Sequence, residues 1–517
     1  MRKISFWVAI FSTIGSVFAQ NQNDVLRYSQ NFYSGTSRFV SMGGAFGALG
    51  GDLSSLSTNP AGVGVYQRTE MSFSPNVNYT QSTSQFSHDN NIKTDNSYNF
   101  NLNNIGMVAA YSSDDTKGWV GAGFGFTYNR MNDFANNMSI SGKNTESSML
   151  DYFKDMAWGN TTDQLWEYRE KLAFDAYLID LKPGTDKEYD NALFPSSEQG
   201  VKRNDPINIT QIKTIESRGG MGEYAFSFGA NYSHMLYLGA TLGIQNVKYT
   251  ENSYYTEKNH NFTDDNYSLD YFTFTENLNT RGTGLNMKFG LIVKPLQWVR
   301  IGAALHTPTF YSLTDEYNTK IESRLSYFDA EDGFNPDFEG IHSYTWTPVD
   351  NQKNDLDANI FEYQVSSPMK SLLSAGFVIG KIGMVGLDFE MVDYASMRIS
   401  SDDSDFSDVN DAIQNNYKTT SNIRLGGEIR FAQVFSGRLG ASYYGSPYKD
   451  TSRKGERTSL SGGLGINSGS FYIDFAYVYT MYSNKTYLYD VLETEKEVSS
   501  TNDIDTRRFM FTMGVRF

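Results

Sequence analysis

The 517-residue chain has no cysteine, which rules out a disulfide framework, a thiolate metal site and a thiol nucleophile. Beyond its first residues it has no apolar run of the roughly eighteen residues that a spanning helix needs. Its five histidines, His88, His234, His260, His306 and His342, are scattered without metal-ligand spacing. No G-x-S-x-G elbow, no H-E-x-x-H and no Walker A lysine followed by Ser or Thr occurs. The acidic stretch "SDDSDFSDVND" (401–411) lacks the glycine and terminal glutamate of an EF-hand loop and reads as the start of a helix. Basic charge is also short. A net charge of −16 argues against a nucleic-acid partner, which needs a basic face. Neither an enzyme, nor a metal site, nor a cofactor is expected.

What the chain does have begins with export. Arg2 and Lys3 precede a short apolar run, Ile4 to Val17, and the small residues at Val17 and Ala19 suit cleavage before Gln20, so residues 1–19 read as a signal peptide. The mature part is rich in aromatics (35 Tyr, 36 Phe) and glycine (45) without helical apolar blocks, which suggests many alternating strands. The clearest is the last, "RRFMFTMGVRF". Phe509, Phe511, Met513, Val515 and Phe517 share one face, and Arg508, Met510, Thr512, Gly514 and Arg516 the other. An alternating strand that ends the chain on Phe517 resembles the C-terminal signal by which bacterial outer-membrane barrels are recognised by their assembly machinery.

The same period recurs at 224–232, 236–244, 285–293, 299–305, 373–379, 385–391, 423–431, 439–443, 460–466 and 471–477. With candidates near 69–81, 98–111 and 118–131 and the last strand, the count is about fourteen, an even number as single-chain membrane barrels require. Short turns at 112–117, 233–234, 295–297, 380–383, 432–436 and 467–469 alternate with longer connections at 82–97, 132–221, 252–281, 318–367, 399–418, 446–457 and 487–504. This asymmetry is that of a membrane barrel with short periplasmic turns and long external loops. The predicted fold is all-β, a transmembrane antiparallel β-barrel. Its apolar faces meet lipid, where an Arg or Lys at the midplane would cost about 2–4 kcal/mol. Lys288, Arg300, His306, Arg424, Arg430 and Arg438 then face the lumen as candidate ligand contacts. Glu390 also faces it, beside Asp388, Glu428 and Asp474, which are expected to pair with the cations.

Two stretches stand apart. In 132–221, Met149, Tyr152, Phe153 and Met156 keep helical spacing, and so do Leu165, Tyr168, Leu172, Ala176 and Ile179, with Thr161 or Thr162 as a cap. Two amphipathic helices over the outer mouth are expected, forming a capture groove or shielding the rim. The other is "MGGAFGALGGDLSSLSTNPAG" (42–62). Gly43, Gly47 and Gly51 are four apart and Gly44, Gly47 and Gly50 three apart, which predicts a smooth stripe on helical turns beside Phe46, Leu49, Leu53 and Leu56. Asp52 would cap a second short turn, and Asn59-Pro60 would stop it.

With its Asn59-Pro60-Ala61-Gly62 end, this block resembles the N-terminal hatch motif of the FadL/TodX family, outer-membrane transporters of long-chain fatty acids and aromatic hydrocarbons. "KPLQWVRIGAALHTPT" (294–309), "GLDFEMVDY" (386–394), "IRLGGEIRF" (423–431) and "RLGASYYGSPY" (438–448) are similar to later strand signatures of that family. The resemblance implies a helical plug over 20–67 inside a barrel over 68–517, a hydrophobic ligand caught at the outer mouth, and release sideways into outer-membrane lipid through a kinked strand. Gly121, Gly123 and Gly125 in "GWVGAGFGF" are the candidates for that lateral-exit strand, or else make room for the plug. A monomer is expected. The competing reading is a surface receptor or adhesin that binds haem or host molecules through its long loops.

Overall fold

The structure is a computed structural model that describes residues 21–193, 207–262, 268–326, 328–329, 333–334, 340–345, 360–431, 434–491 and 496–517. The signal-peptide reading of 1–19 lies outside them. Fourteen antiparallel strands close into one barrel. They are β1 (Glu70–Phe86), β2 (Ile92–Ser112), β3 (Trp119–Asp133, continued by Asn136–Asn144), β4 (Ile209–Tyr232), β5 (Leu236–Asn259), β6 (Ser268–Leu296) and β7 (Val299–His306 with Phe310–Ser326). The round continues with β8 (Ile360–Ser366 with Lys370–Ile379), β9 (Gly383–Asp393 with Arg398–Ser400), β10 (Thr419–Phe431), β11 (Phe435–Tyr444), β12 (Lys454–Asn467), β13 (Phe471–Val491) and β14 (Lys496–Arg516). Closure is the β1–β14 ladder, from Glu70↔Arg516 to Phe86↔Ser500.

The strands run well past the predicted limits. β4 and β5 have 24 residues each and β6 has 29, against the roughly 9–11 that cross a bilayer. On β5 the outward side chains Leu236 to Ile244 are apolar, and above them Asn246, Lys248, Thr250 and Asn252 point outward while the ladder to β4 continues to Asn259. Apolar alternation therefore ends where the belt ends, not where the strand ends. For this reason 82–97, 252–281 and 487–504 are mostly strand rather than loop.

The interior is filled from both ends. Near the short turns, residues 21–67, with α1 (Gln22–Ser29) and α2 (Ser37–Ser41), lie within the ring, and the wall thins to meet them. A β-carbon at Gly302, Gly386 or Gly426 would lie 2.1–2.5 Å from the backbone oxygens of Gly47, Ala45 and Met42. At the loop end, α3 (Met149–Ala157) and α4 (Glu170–Asp175) pack inside the ring and not over its mouth. Leu150, Phe153, Leu172 and Ile179 share one buried cluster with Phe86, Ile140, Tyr255, Phe272, Ile321 and Val498, which come from the strands between β14 and β7. Because the strands tower above the belt, their inner faces offer an apolar lining that the amphipathic segment covers. The second predicted helix is also shorter than the 165–179 spacing implies: Leu165 precedes α4, and Ile179 begins a small hairpin, Ile179–Leu181 with Tyr189–Asn191.

Candidate functional site

The glycine-dense start of the block, 42–51, is not helical. Gly43, Gly44, Gly50 and Gly51 all have left-handed φ, between 61° and 79°, so the chain makes successive tight turns that side chains would strain. Short 3₁₀ helices follow at Leu53–Ser57 and Pro60–Val65. Asp52 caps the first, accepting from Ser54 N at 2.9 Å, and also accepts from Thr36 Oγ1. Asn59 starts the second rather than stopping the first. Its Oδ1 accepts from Ala61 N while its Nδ2 donates to Gly47 O at 2.6 Å and Leu291 O at 3.2 Å, and Pro60 takes the first helical position. One asparagine thus ties the end of the block to Gly47 within it and to the wall. Phe46, Leu49, Leu53 and Leu56 are all buried.

The lumen cations are tied down. Lys288 forms a buried ion pair with Glu223. Arg424, fully buried, lies 3.4 Å from Glu390 and 3.7 Å from Asp388, and the latter also accepts from Gly47 N. Arg438 bridges Glu428 at 2.8 Å and Asp474 at 2.5 Å. Glu428 further holds Arg430 and, from the N-terminal segment, Arg38, both at 3.0 Å. Arg300 Nη1 donates to Leu49 O, and His306 Nε2 donates to Thr58 O at 2.7 Å. Arg430, Arg438 and Arg38 border a cavity of about 420 Å³ at the turn end, apart from Lys288, His306 and Arg424.

Two cations that sequence reasoning did not single out differ from these. Arg457 and Arg508 face a cavity of about 50 Å³ beside Phe32, Tyr33, Gly43 and Gly44 of the N-terminal segment. Arg508 donates only to neutral groups, Asn78 Oδ1 and Ser34 Oγ, both at 3.0 Å. Arg457 lies over the rings of Phe32 and Tyr482, at 4.2 and 4.8 Å. Neither makes an ion pair among the described residues, and a half-buried guanidinium without an anion favours one as ligand. Alternation put Arg508 on the inner face, whereas Arg457 fell inside the predicted loop 446–457, which β12 enters at Lys454.

The wall itself is interrupted once along β3, away from its glycines. At Gly121, Gly123 and Gly125 the strand is laddered on both sides, and β-carbons at the last two would meet Val63 and Leu56 of the N-terminal segment. Above Asn104↔Asn129 the β2–β3 ladder ends. Ile92–Leu102 pairs with β1 alone and Asn136–Asn144 with β4 alone. Side chains stitch the seam instead. Asp133 accepts from Asn78, from Asn99 at 2.9 Å and from Asn101 at 2.6 Å, and Asn137 Nδ2 donates to Asn96 O at 3.2 Å. Phe100 and Tyr98 stand outward beside this seam, 73% and 77% exposed.

The class of protein that this architecture defines emerges from comparison with solved structures. A Pseudomonas aeruginosa FadL homologue is 12% identical with a TM-score of 0.53, covering 95% of this chain and 100% of its own. The Ralstonia pickettii toluene transporter TbuX (14%, TM-score 0.50) and the Pseudomonas putida toluene transporter TodX (11%, TM-score 0.51) each cover 95% of this chain and 99% of their own. The chain therefore has the FadL/TodX fold. No family model matches it, and no curated protein matches it.

Proposed function

We propose that this chain is an outer-membrane channel that takes up hydrophobic or amphipathic small molecules, long-chain fatty acids or aromatic hydrocarbons, with residues 21–67 as its hatch. The observation that carries this reading is a closed barrel whose bore is obstructed by a segment of tight glycine turns, with two uncompensated guanidiniums beside it. The apolar belt then faces lipid, the short turns face the periplasm and the strand tower stands outside the cell. The ligand's anionic head rests on Arg457 and Arg508. Its tail leaves sideways at the β2–β3 seam, because a hydrocarbon chain prefers bilayer to water by about 0.8 kcal/mol per CH₂. The seam replaces the glycine-lined end of β3 as the exit, since the β2–β3 ladder stops at the seam and runs unbroken through the glycines. Labelled oleate and toluene supplied to a transport-deficient host expressing the chain measure this directly. Uptake no greater than in the empty host sinks the reading, and haem binding by intact cells in its absence turns it to the receptor alternative. Deletion of residues 42–62 raises single-channel conductance if this segment closes the bore.

A further inference from the structure

Between the two fillings of the barrel lies a space that neither occupies. It measures about 440 Å³, within the range of roughly 300–1,000 Å³ usual for small-molecule sites. Its floor is α1 (Gln22–Ser29), through Asp24 and Arg27, and its roof is the inserted loop, through Tyr152 and Trp166. Lys213 and Tyr317 belong to its wall.

The charges here are not equal. Arg27 is paired with Asp24 at 2.5 Å and its guanidinium lies 4.1 Å from the centre of the Tyr249 ring. Arg169 is held by Glu170 and by the Tyr152 hydroxyl. Glu276 accepts from Tyr317 Oη at 2.7 Å, and Glu251 accepts from Tyr249 Oη. Lys213 alone has no acceptor or carboxylate among the described residues, although it stands opposite the buried inner-face residues Ile140 and Tyr255 in the ladder. The rings are arranged as well. Trp166 and Tyr317 are parallel to within 6° at 6.4 Å, with Tyr168 at 5.4 Å from the first. A single free ammonium in the same chamber as parallel aromatic rings suits one negative charge on a flat apolar body. The three carboxylates bordering the space disfavour a polyanion, and the surrounding charged groups disfavour a bare hydrocarbon.

We propose that the chamber between α1 and the inserted loop is a binding site for small aromatic carboxylates, the carboxylate on Lys213 and the ring against Trp166 and Tyr317. The site is distinct from the Arg457–Arg508 cavity, and binding to it does not require transport. The test is calorimetric titration of the purified full chain in detergent with benzoate and with toluene, alongside quenching of Trp166 fluorescence. Benzoate binds with one-to-one stoichiometry, K213Q weakens it at least tenfold, K213R restores most of it, and toluene binding is weak and indifferent to either change. Trp166→Phe abolishes the benzoate-dependent quenching. Benzoate binding unaltered in K213Q, or absent from the wild type, overturns the site. Oleate uptake that persists in K213Q leaves the transport reading standing either way, so the two fail separately.

Discussion

Two sets of cations around the N-terminal segment behave differently. Lys288, Arg424 and Arg438 are each locked to wall carboxylates, and Arg38 joins Arg430 and Arg438 on Glu428. Arg457 and Arg508 meet only rings, an amide and a hydroxyl. The first set spends its charge on the protein itself, holding strands to one another and the N-terminal segment to the wall. Of these two sets, only the second has charge left over for a ligand. Position on the inner face is common to both, so facing the lumen is not a criterion for binding.

The largest effect comes from breaking the first set. Glu428→Ala leaves Arg38, Arg430 and Arg438 without their shared partner, and loss of one member of a buried pair costs about 3–5 kcal/mol. The urea midpoint of the refolded barrel falls accordingly, and the N-terminal segment becomes accessible to protease. Glu223→Leu alone is expected to cost as much through stranded Lys288. Glu223→Leu combined with Lys288→Met returns to within about 1 kcal/mol of wild type in the same unfolding measurement, because a buried pair replaced as a unit is nearly neutral.

The belt offers the next contrast. Leu439, 75% exposed on the outward face of β11, is predicted to tolerate arginine poorly, at about 2–4 kcal/mol. Thr250→Arg, outward on β5 but above the belt, stays within about 0.5 kcal/mol. Equal costs at the two positions would mean that the belt does not face lipid.

The second set gives a smaller, selective change. Arg457→Gln with Arg508→Gln lowers oleate uptake about tenfold, equivalent to about 1.4 kcal/mol, while toluene uptake is unaltered. A parallel loss of both would assign these arginines to structure. Because the chain lacks cysteine, Asn99→Cys with Asp133→Cys can be cross-linked cleanly across the seam. Cross-linking slows release of either ligand, and reduction restores it; an indifferent rate places the exit elsewhere.

Much of the architecture was legible in residue order. The period of two, the even strand number and the inward placement of Lys288, Arg424 and Arg438 follow from alternation, because successive side chains of a strand point to opposite faces. Asp52 as a cap was readable for the same local reason. The start of the glycine block, 42–51, was read wrongly as a helical turn because spacing reports where glycines are, not that four of them take left-handed φ. The extent of the strands was underestimated because apolar patterning marks the belt, whereas the ladder above it is held by backbone bonds that any polar sequence can make.

By itself, then, the sequence determined the barrel, its strand order and which side of each strand is wet, since these depend on local period and chain length. Only the tertiary structure decided which lumen cations are spent and which are free, that residues 145–193 turn inward to fill the tower, and that the wall parts at Asp133 rather than at Gly121, Gly123 and Gly125. These depend on partners tens to hundreds of residues away, as Asp133 on Asn99, Arg38 on Glu428 or Ser34 on Arg508. Ion pairing and packing act through space, and the order of residues along the chain carries no distance between them.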